Sequence, residues 1–474
     1  MVLFNYYFEP INSFPILNVT SSFFITFVFF TSLISYFNKS SFKPYVLLLA
    51  SLVFIWSYSN DFYYLLIALI YCVLGYVFGF LLIKIKRKKI LLAFSISVVV
   101  IILCFFKYNY FFNINNILMP LGISFYTFKL ISYLVAIYRG DISFNLNPIY
   151  LFDYLLFFPS FVAGPIINPN DFINELENNN IFNIEETRRG WIQLLYGIFE
   201  KVVICDYFGL FVTATLDNCN VKGLAVLLGI FLYGLQIYLD FDSYSNIAIG
   251  AARLFGFNLS NNFKTPYLSR NLKEFWANWH ISLSTWLKDY IYIPLGGNKK
   301  GLIRKYLNIL VVFLISGVWH GSYMNFIVWG LLHGIIRIIE DFIEESLKKF
   351  ININNYIVST IRLIINFIIV CLLWLVFRTN TMNEVFSILS RISFDKIDFS
   401  ALEFTHYQVL WMTILIGFVF AIDLIRYKWD IFKYLSKTLF IIRYAIYIVF
   451  IFIYLIFGVY GGSFNSADFI YRWF

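Results

Sequence analysis

Residues 61–89 read DFYYLLIALIYCVLGYVFGFLLIKIKRKK. The apolar run from 61 to 83 closes on KIKRKK (84–89), in which five of six side chains are basic. A bilayer core is crossed by about 20 apolar residues in helical form. The run therefore predicts a membrane span, and its basic end marks the cytoplasmic side, where Lys and Arg are retained. The pattern recurs along the chain, with apolar segments near 17–38, 45–58, 90–106, 117–138, 192–215, 223–252, 306–319, 323–343, 356–377, 407–426 and 438–460. The predicted fold class is all-α: a polytopic membrane helical bundle of roughly 11–13 spans, the shorter ones re-entrant or enclosed by protein.

Composition points the same way. Of 474 residues, 60% are hydrophobic, 22% aromatic and only 13% charged, and the mean hydropathy is +0.75. A soluble domain is about a quarter charged, so this chain has too little polar surface to face water all round. The net charge of +9 reads as the positive-inside bias, not as a nucleic-acid footprint. The stretch before the first span carries no Lys or Arg, whereas Lys39 and Lys43 follow it. Alternate counting then places the N-terminus outside, 39–43 inside, 59–60 outside and 84–89 inside, without a cleavable signal peptide. The five cysteines, Cys72, Cys104, Cys205, Cys219 and Cys371, form no CxxC pair. They suggest small core or lipid-facing residues, with neither a disulfide framework nor a metal site.

Three polar features interrupt the apolar background. The stretch 258–300 is too polar to span and too aromatic for a solvated loop. Within it, 272–290 has helical spacing, with Trp276, Trp279, Leu283, Trp286 and Leu287 on one face. Lys273, Asn278, Ser282, Thr285 and Asp289 fall on the others, and Pro294 with Gly296–Gly297 ends the segment. An interfacial helix fits this pattern, yet it carries His280. The second feature is ISGVWHGSYMNF (315–326), which sets His320 beside Trp319 and between Gly317 and Gly321. Ionisable groups at membrane depth line cavities or do chemistry, and a near-neutral histidine can take a proton from a hydroxyl. His333, thirteen residues on, is expected on a different face of the same helix, which argues against a metal pair. The third feature is YGLQIYLDFDSYSNIAIG (233–250), where Gln236, Asp240, Asp242 and Tyr244 imply either a cation site or a buried network that holds helices together.

These motifs in combination resemble the membrane-bound O-acyltransferase family, in its alginate and peptidoglycan O-acetyltransferase branch. The segments EFWANWHISLSTWLKDYIYIPLGG (274–297), SGVWHG (316–321) and VWGLLHG (328–334) carry the likeness. FFPSFVAGPI (157–166), GIFEKVVICDYFG (197–209) and WLVFRTN (374–380) extend it over most of the chain from about residue 117. The resemblance implies one domain over 1–474, built from N-terminal helices (1–116), a catalytic core (117–345) around a tunnel and C-terminal helices (346–474). It implies that His320 is the catalytic histidine and His280 the second functional one. It also implies a pocket shaped by Trp276, Trp279, Ser284, Lys288, Asp289, Tyr290 and Trp319, with Asn308 and His333 in support. Gln236, Asp240 and Tyr244 form a polar network, and no metal or resident cofactor is expected.

The implied reaction moves an acetyl group from cytoplasmic acetyl-CoA across a bacterial inner membrane to a cell-envelope glycan, peptidoglycan before alginate or another exopolysaccharide. A periplasmic O-acetyltransferase completes it. Relatives carry basic residues where this chain has Ala277 and Asn278, so Lys273, Lys288, Lys299 and Lys300 are the candidates for the donor's phosphates. Two other classes stay open: a transporter of acyl donor or glycan precursor coupled through Asp240 and Asp242, and a scaffold tolerant of change at both histidines.

Overall fold

A computed structural model describes residues 18–37, 40–59, 61–109, 118–145, 147–177, 183–347, 355–394, 402 and 404–459. The residues before the first span, Lys39 and the centre of the Asn-rich stretch (178–182) lie outside these. Among the described residues every regular element is helical. Helices α1 (Ser22–Phe37) and α2 (Lys43–Ser59) are apolar but short. Next come α3 (Phe62–Lys84), α4 (Lys88–Lys107) and α5 (Ile123–Arg139), then α6 (Pro148–Leu156) and α7 (Pro169–Glu177). Helix α8 (Ile184–Phe199) continues through a π turn at Glu200–Cys205 into α9 (Asp206–Val212) and a further π turn at Thr213–Asp217. The span expected at 192–215 thus lies within one longer helical run over 184–217. α10 (Leu224–Leu254) follows, then the short α11 (Leu272–Asn278) and α12 (Ile281–Leu287). The remainder is α13 (Leu302–His320), α14 (Met324–Leu347), α15 (Tyr356–Arg378), α16 (Met382–Ser390), α17 (His406–Lys428), α18 (Ile431–Lys437) and α19 (Phe440–Phe457).

Seven of these, α3, α4, α10, α13, α15, α17 and α19, are long and apolar enough to cross a membrane. The chain is a multi-pass membrane protein. The order of burial matches that solvent. α19 exposes almost its whole apolar surface, whereas every residue of α5 from Ile123 to Ile137 is buried. α5 and α10 form the centre, and the apolar outer faces are dressed for lipid.

Close crossings are made by glycines. α8 lies against α10 so tightly that a methyl group on Gly197 would come within 2.6 Å of the Ser243 carbonyl, and one on Gly250 within 2.5 Å of the Leu194 nitrogen. The α13–α14 hairpin repeats the device: a methyl on Gly317 would meet the Phe326 carbonyl at 2.3 Å, and one on Gly330 the Phe313 carbonyl at 2.3 Å. Lipid provides no hydrophobic drive between helices, so contact of this kind supplies the association energy.

Buried polar groups tie α8, α9, α10 and α17 together. Lys201 bridges Asp206 at 2.8 Å and Asp240 at 2.9 Å. Arg426 holds Asp242 through both guanidinium nitrogens. Tyr238 donates to Asp423 at 3.0 Å. Gln193 donates to Asn246, which donates to Glu200. Lys201 lies in the π turn at 200–205 and is buried.

Two polar rims mark the ends of the bundle. One gathers the C-terminal end of α3, the N-terminal ends of α13 and α15, and the C-terminal end of α14. It is stitched by Lys305–Asp341, Arg337–Asp341 and Arg362–Glu344, and Arg139 lies over the Tyr290 ring. The other joins the ends of α4, α13, α15 and α16 through Lys107 to the Trp319 carbonyl, Arg378 to Asp217 and Arg391 to the Leu216 and Asn218 carbonyls.

Lys201→Met strands two buried carboxylates and is expected to lower stability by about 3–5 kcal/mol. The triple change Lys201→Met, Asp206→Asn, Asp240→Asn is expected to recover most of the loss, read as the unfolding midpoint of purified protein in detergent. Gly330→Val is expected to lower that midpoint by overpacking the hairpin, at a cost of about 1–3 kcal/mol or more.

Candidate active site

His320 is the last residue of α13 and is buried. The hairpin fixes its direction. Gly321 leaves room for the Phe326 ring, which would stand 2.2 Å from any methyl there. The imidazole packs edge-on against Trp319 (4.8 Å between centroids), Trp329 (5.1 Å) and Phe377 (5.2 Å). The final carbonyls of a helix have no internal partner. Here the end of α4 supplies two: Lys107 Nζ donates to the Trp319 carbonyl and Tyr108 to the Val318 carbonyl. Trp319 stacks on Phe128 at 5.2 Å, and Phe128 stacks on Trp286 at 3.9 Å.

The segment expected to be one helix over 272–290 is broken in the middle. α11 begins at an Asn271 cap, whose side chain accepts from the Glu274 nitrogen, and ends at Asn278. His280 then takes a left-handed backbone with φ +41°, and α12 starts at Ile281. Such a conformation is rare for a residue with a Cβ and gathers at functional sites. The preceding extended stretch enforces it. The Ile281 nitrogen donates to the Asn262 carbonyl at 2.9 Å, and the Lys264 nitrogen to that of Asn278 at 3.0 Å. Asn262 Oδ1 accepts from Ser282 Oγ at 2.7 Å, while its Nδ2 donates to Ser245 on α10 at 3.2 Å. Ser282, placed on the polar face by its spacing, therefore points into protein. The break turns His280 inward, edge-on to Phe241 at 4.6 Å and 6.4 Å from Trp319.

His333 lies on α14, not on the helix that carries His320. Trp276 Nε1 donates to its Nδ1 at 3.2 Å, and its ring packs against Trp329 at 4.8 Å. Trp279 is buried between Phe263, Phe275 and Trp374. Three histidines thus share one aromatic cluster, in the order His280, Trp319, His320, Trp329, His333.

Other expected pocket residues sit elsewhere. Ser284 donates to the Trp279 carbonyl at 3.3 Å and so steadies the break. Lys288, Asp289 and Tyr290 form the π turn after α12, about 12 Å along the helix from His280 at 1.5 Å per residue. Asn308 is twelve residues from His320, about 18 Å along α13, and its amide donates to the Gly297 carbonyl at 2.9 Å, latching the turn at 296–297. These four belong to the rim, because helix length separates them from the histidines. Lys288, Lys299 and Lys300 are exposed there, and Lys273 lines a cleft of about 360 Å³ in which Lys305 and Arg337 are balanced by Glu274, Asp341, Glu344 and Glu345. Asp240 is held by Lys201 and Asp242 by Arg426, so a coupling-ion site built on those carboxylates would compete with two buried cations. Gln236 is half-buried and Tyr244 buried on α10. The sequence reading missed Lys107, Asn262, Lys201 and Trp374. Lys107 carried a signal as a lone cation at the end of an apolar run, and Lys201 and Trp374 stand in segments that carry the family likeness.

The model of the membrane-bound O-acyltransferase family matches residues 142–386, which include all three clustered histidines. A probable alginate O-acetylase AlgI of Pseudomonas syringae is 36% identical over 276 residues, 57% of this chain and 51% of that protein. A peptidoglycan O-acetyltransferase of Helicobacter pylori is 32% identical over 341 residues, 64% of each chain. A teichoic acid D-alanyltransferase of Bacillus subtilis is 28% identical over 274 residues, 54% of this chain and 68% of that one. The chain spans about half the length of the alginate relatives it matches. With the family's matched region running through the helix break, the glycine hairpin and the histidine cluster, this chain belongs to the membrane-bound O-acyltransferase family.

Proposed function

We propose that this chain is a membrane O-acetyltransferase of the bacterial inner membrane, with residues 117–345 as its catalytic core. It takes acetyl groups from acetyl-CoA on the cytoplasmic side and delivers them toward a cell-envelope glycan. The basic rim, with Lys84, Arg304 and Lys305, faces the cytoplasm, and the N-terminus faces out. His320 lies toward the opposite rim. The observation that carries the reading is the convergence of His280 and His320 on Trp319, from a broken helix and a helix terminus, inside a buried aromatic cluster.

In the proposed step His320 removes the proton from an acceptor hydroxyl. The hydroxyl oxygen attacks the thioester carbonyl, the carbon–sulfur bond breaks, and the proton leaves with the thiol. His280 positions the reacting groups. A periplasmic transferase then completes delivery to glycan. Peptidoglycan is the proposed target, supported by the longer alignment to the Helicobacter pylori enzyme. The higher identity to the alginate O-acetylases favours an exopolysaccharide as the second reading. Transport is disfavoured because both carboxylates it needs are already paired with cations.

His320→Ala is expected to lower acetyl transfer by about 10²–10⁴-fold, the usual weight of a general base, with folded yield unchanged. The assay is consumption of labelled acetyl-CoA by purified protein with its glycan-side transferase. Asp240→Asn should act mainly on stability. Normal turnover in His320→Ala would sink the assignment, and substrate accumulation without thioester cleavage would favour transport.

A further inference from the structure

The turn between α3 and α4 gathers charge in a way that membrane orientation does not require. α3 ends at Lys84 and α4 begins at Lys88. Lys86 and Arg87 thus make the turn, and Lys88 and Lys89 open α4. All four are exposed, and together with Ile90 of α4 and Tyr138 of α5 they line an open hollow of about 650 Å³. No acidic residue lines it, and none of the ion pairs among the described residues reaches these four. The cleft that holds Lys273 is the contrast, because its cations are matched by acids. Orientation depends on how many Lys and Arg flank a span, and it does not draw them round one space. The helix itself is ill served. A helix N-terminus is the positive end of the dipole and favours anions, yet α4 has no acid in its first turn and Arg87 makes no side-chain cap bond. An anion in the hollow would relieve both the mutual repulsion and the uncapped end.

Position narrows the anion. The hollow sits where two apolar spans meet the rim, at the depth of lipid headgroups. Ile90, which lines it, starts an exposed apolar stripe on α4 that continues through Phe94 and Ile101. Steps of four and seven residues keep these side chains on one helix face, and that face runs from the hollow toward the bilayer centre. Tyr138 adds a phenol at the hollow's edge, a hydroxyl able to donate to a phosphate oxygen. A soluble anion would use the cations alone. A molecule with a phosphate at one end and hydrocarbon at the other uses the cations, the phenol and the stripe together.

We infer that Lys86, Arg87, Lys88 and Lys89, with Tyr138, form a binding site for the headgroup of an anionic phospholipid, whose acyl chain lies along Ile90, Phe94 and Ile101. Basic clusters next to a span attract anionic lipid at about 1 kcal/mol per Lys or Arg, or roughly fivefold in affinity. The bound lipid joins the α3–α4 turn to the end of α5. The site is separate from the histidine cluster, and the inference goes beyond the acyl-transfer reading without depending on it.

The test titrates the full-length protein, purified in neutral detergent, with phosphatidylglycerol, with phosphatidylcholine of the same chains, or with inorganic phosphate. Retained lipid is counted by native mass spectrometry, and the unfolding midpoint is read beside it. Wild type is expected to retain phosphatidylglycerol in preference to phosphatidylcholine, to unfold at a higher temperature with it, and to lose the preference as salt is raised. The double change Lys88→Gln, Lys89→Gln is expected to weaken phosphatidylglycerol retention by about fivefold for each charge removed. The control, Lys428→Gln with Lys433→Gln, removes two exposed charges on α17 and α18 and should leave retention within about twofold. Equal weakening by both pairs would reduce the effect to net charge and overturn the inference. So would equal retention of the two lipids by wild type, or the same rise in midpoint with inorganic phosphate alone. None of these results bears on thioester turnover, so the acyltransferase reading stands or falls by its own assay.

Discussion

A helix interrupted at membrane depth must find protein partners for the backbone groups it frees, because hydrocarbon offers none. The break at Trp279–His280 meets that demand through Asn262. Its carbonyl, side-chain oxygen and side-chain nitrogen engage Ile281, Ser282 and Ser245 in turn. Much else depends on this one residue. It ties the start of α12 to α10 beside the left-handed backbone of His280. A continuous helix over 272–290 would have carried His280 along its own axis instead of turning it onto Phe241.

The rest of the molecule holds that arrangement still. The α8–α10 crossing is glycine-tight, and the Lys201 and Arg426 ion pairs lock it against α9 and α17. Charged pairs in such surroundings are costly to desolvate and strongly destabilising when half-removed, so they specify a single packing. The α13–α14 hairpin then delivers His320 and His333 from two antiparallel helices to one set of rings. Precise placement of reacting groups needs rigid elements under them, and here each histidine is held by aromatic contacts on several sides.

Lys107 and Tyr108 add a contribution from outside the matched family region. They terminate α13 by donating to its last carbonyls. The N-terminal helices are therefore part of what orients His320, even though the three clustered histidines all come from the region 280–333. The scaffold and the site are one packed unit.

Much of the fold was legible in the sequence because lipid imposes a strong and simple rule. Apolar runs of membrane length, basic clusters at alternate ends and the absence of competing strand patterns are local properties, and they follow from backbone satisfaction in hydrocarbon. His280 and His320 stood out for the same reason, as ionisable residues in an apolar setting. Two expectations failed and one choice stayed open. Helical spacing continues straight through His280, and only Asn262, eighteen residues away, breaks it. Thirteen residues between His320 and His333 fit one helix as well as two, and the hairpin turn at 321–323 chose two. Asp240 and Asp242 looked equally suited to bind an ion or to brace helices, and Lys201 and Arg426, from other segments, took them as braces. Amino-acid sequence by itself marked which segments are apolar enough to enter a membrane, since that depends on each segment's own transfer energy. Tertiary structure alone decided which polar groups meet inside it, since a buried donor or charge is settled by partners that are distant in the chain.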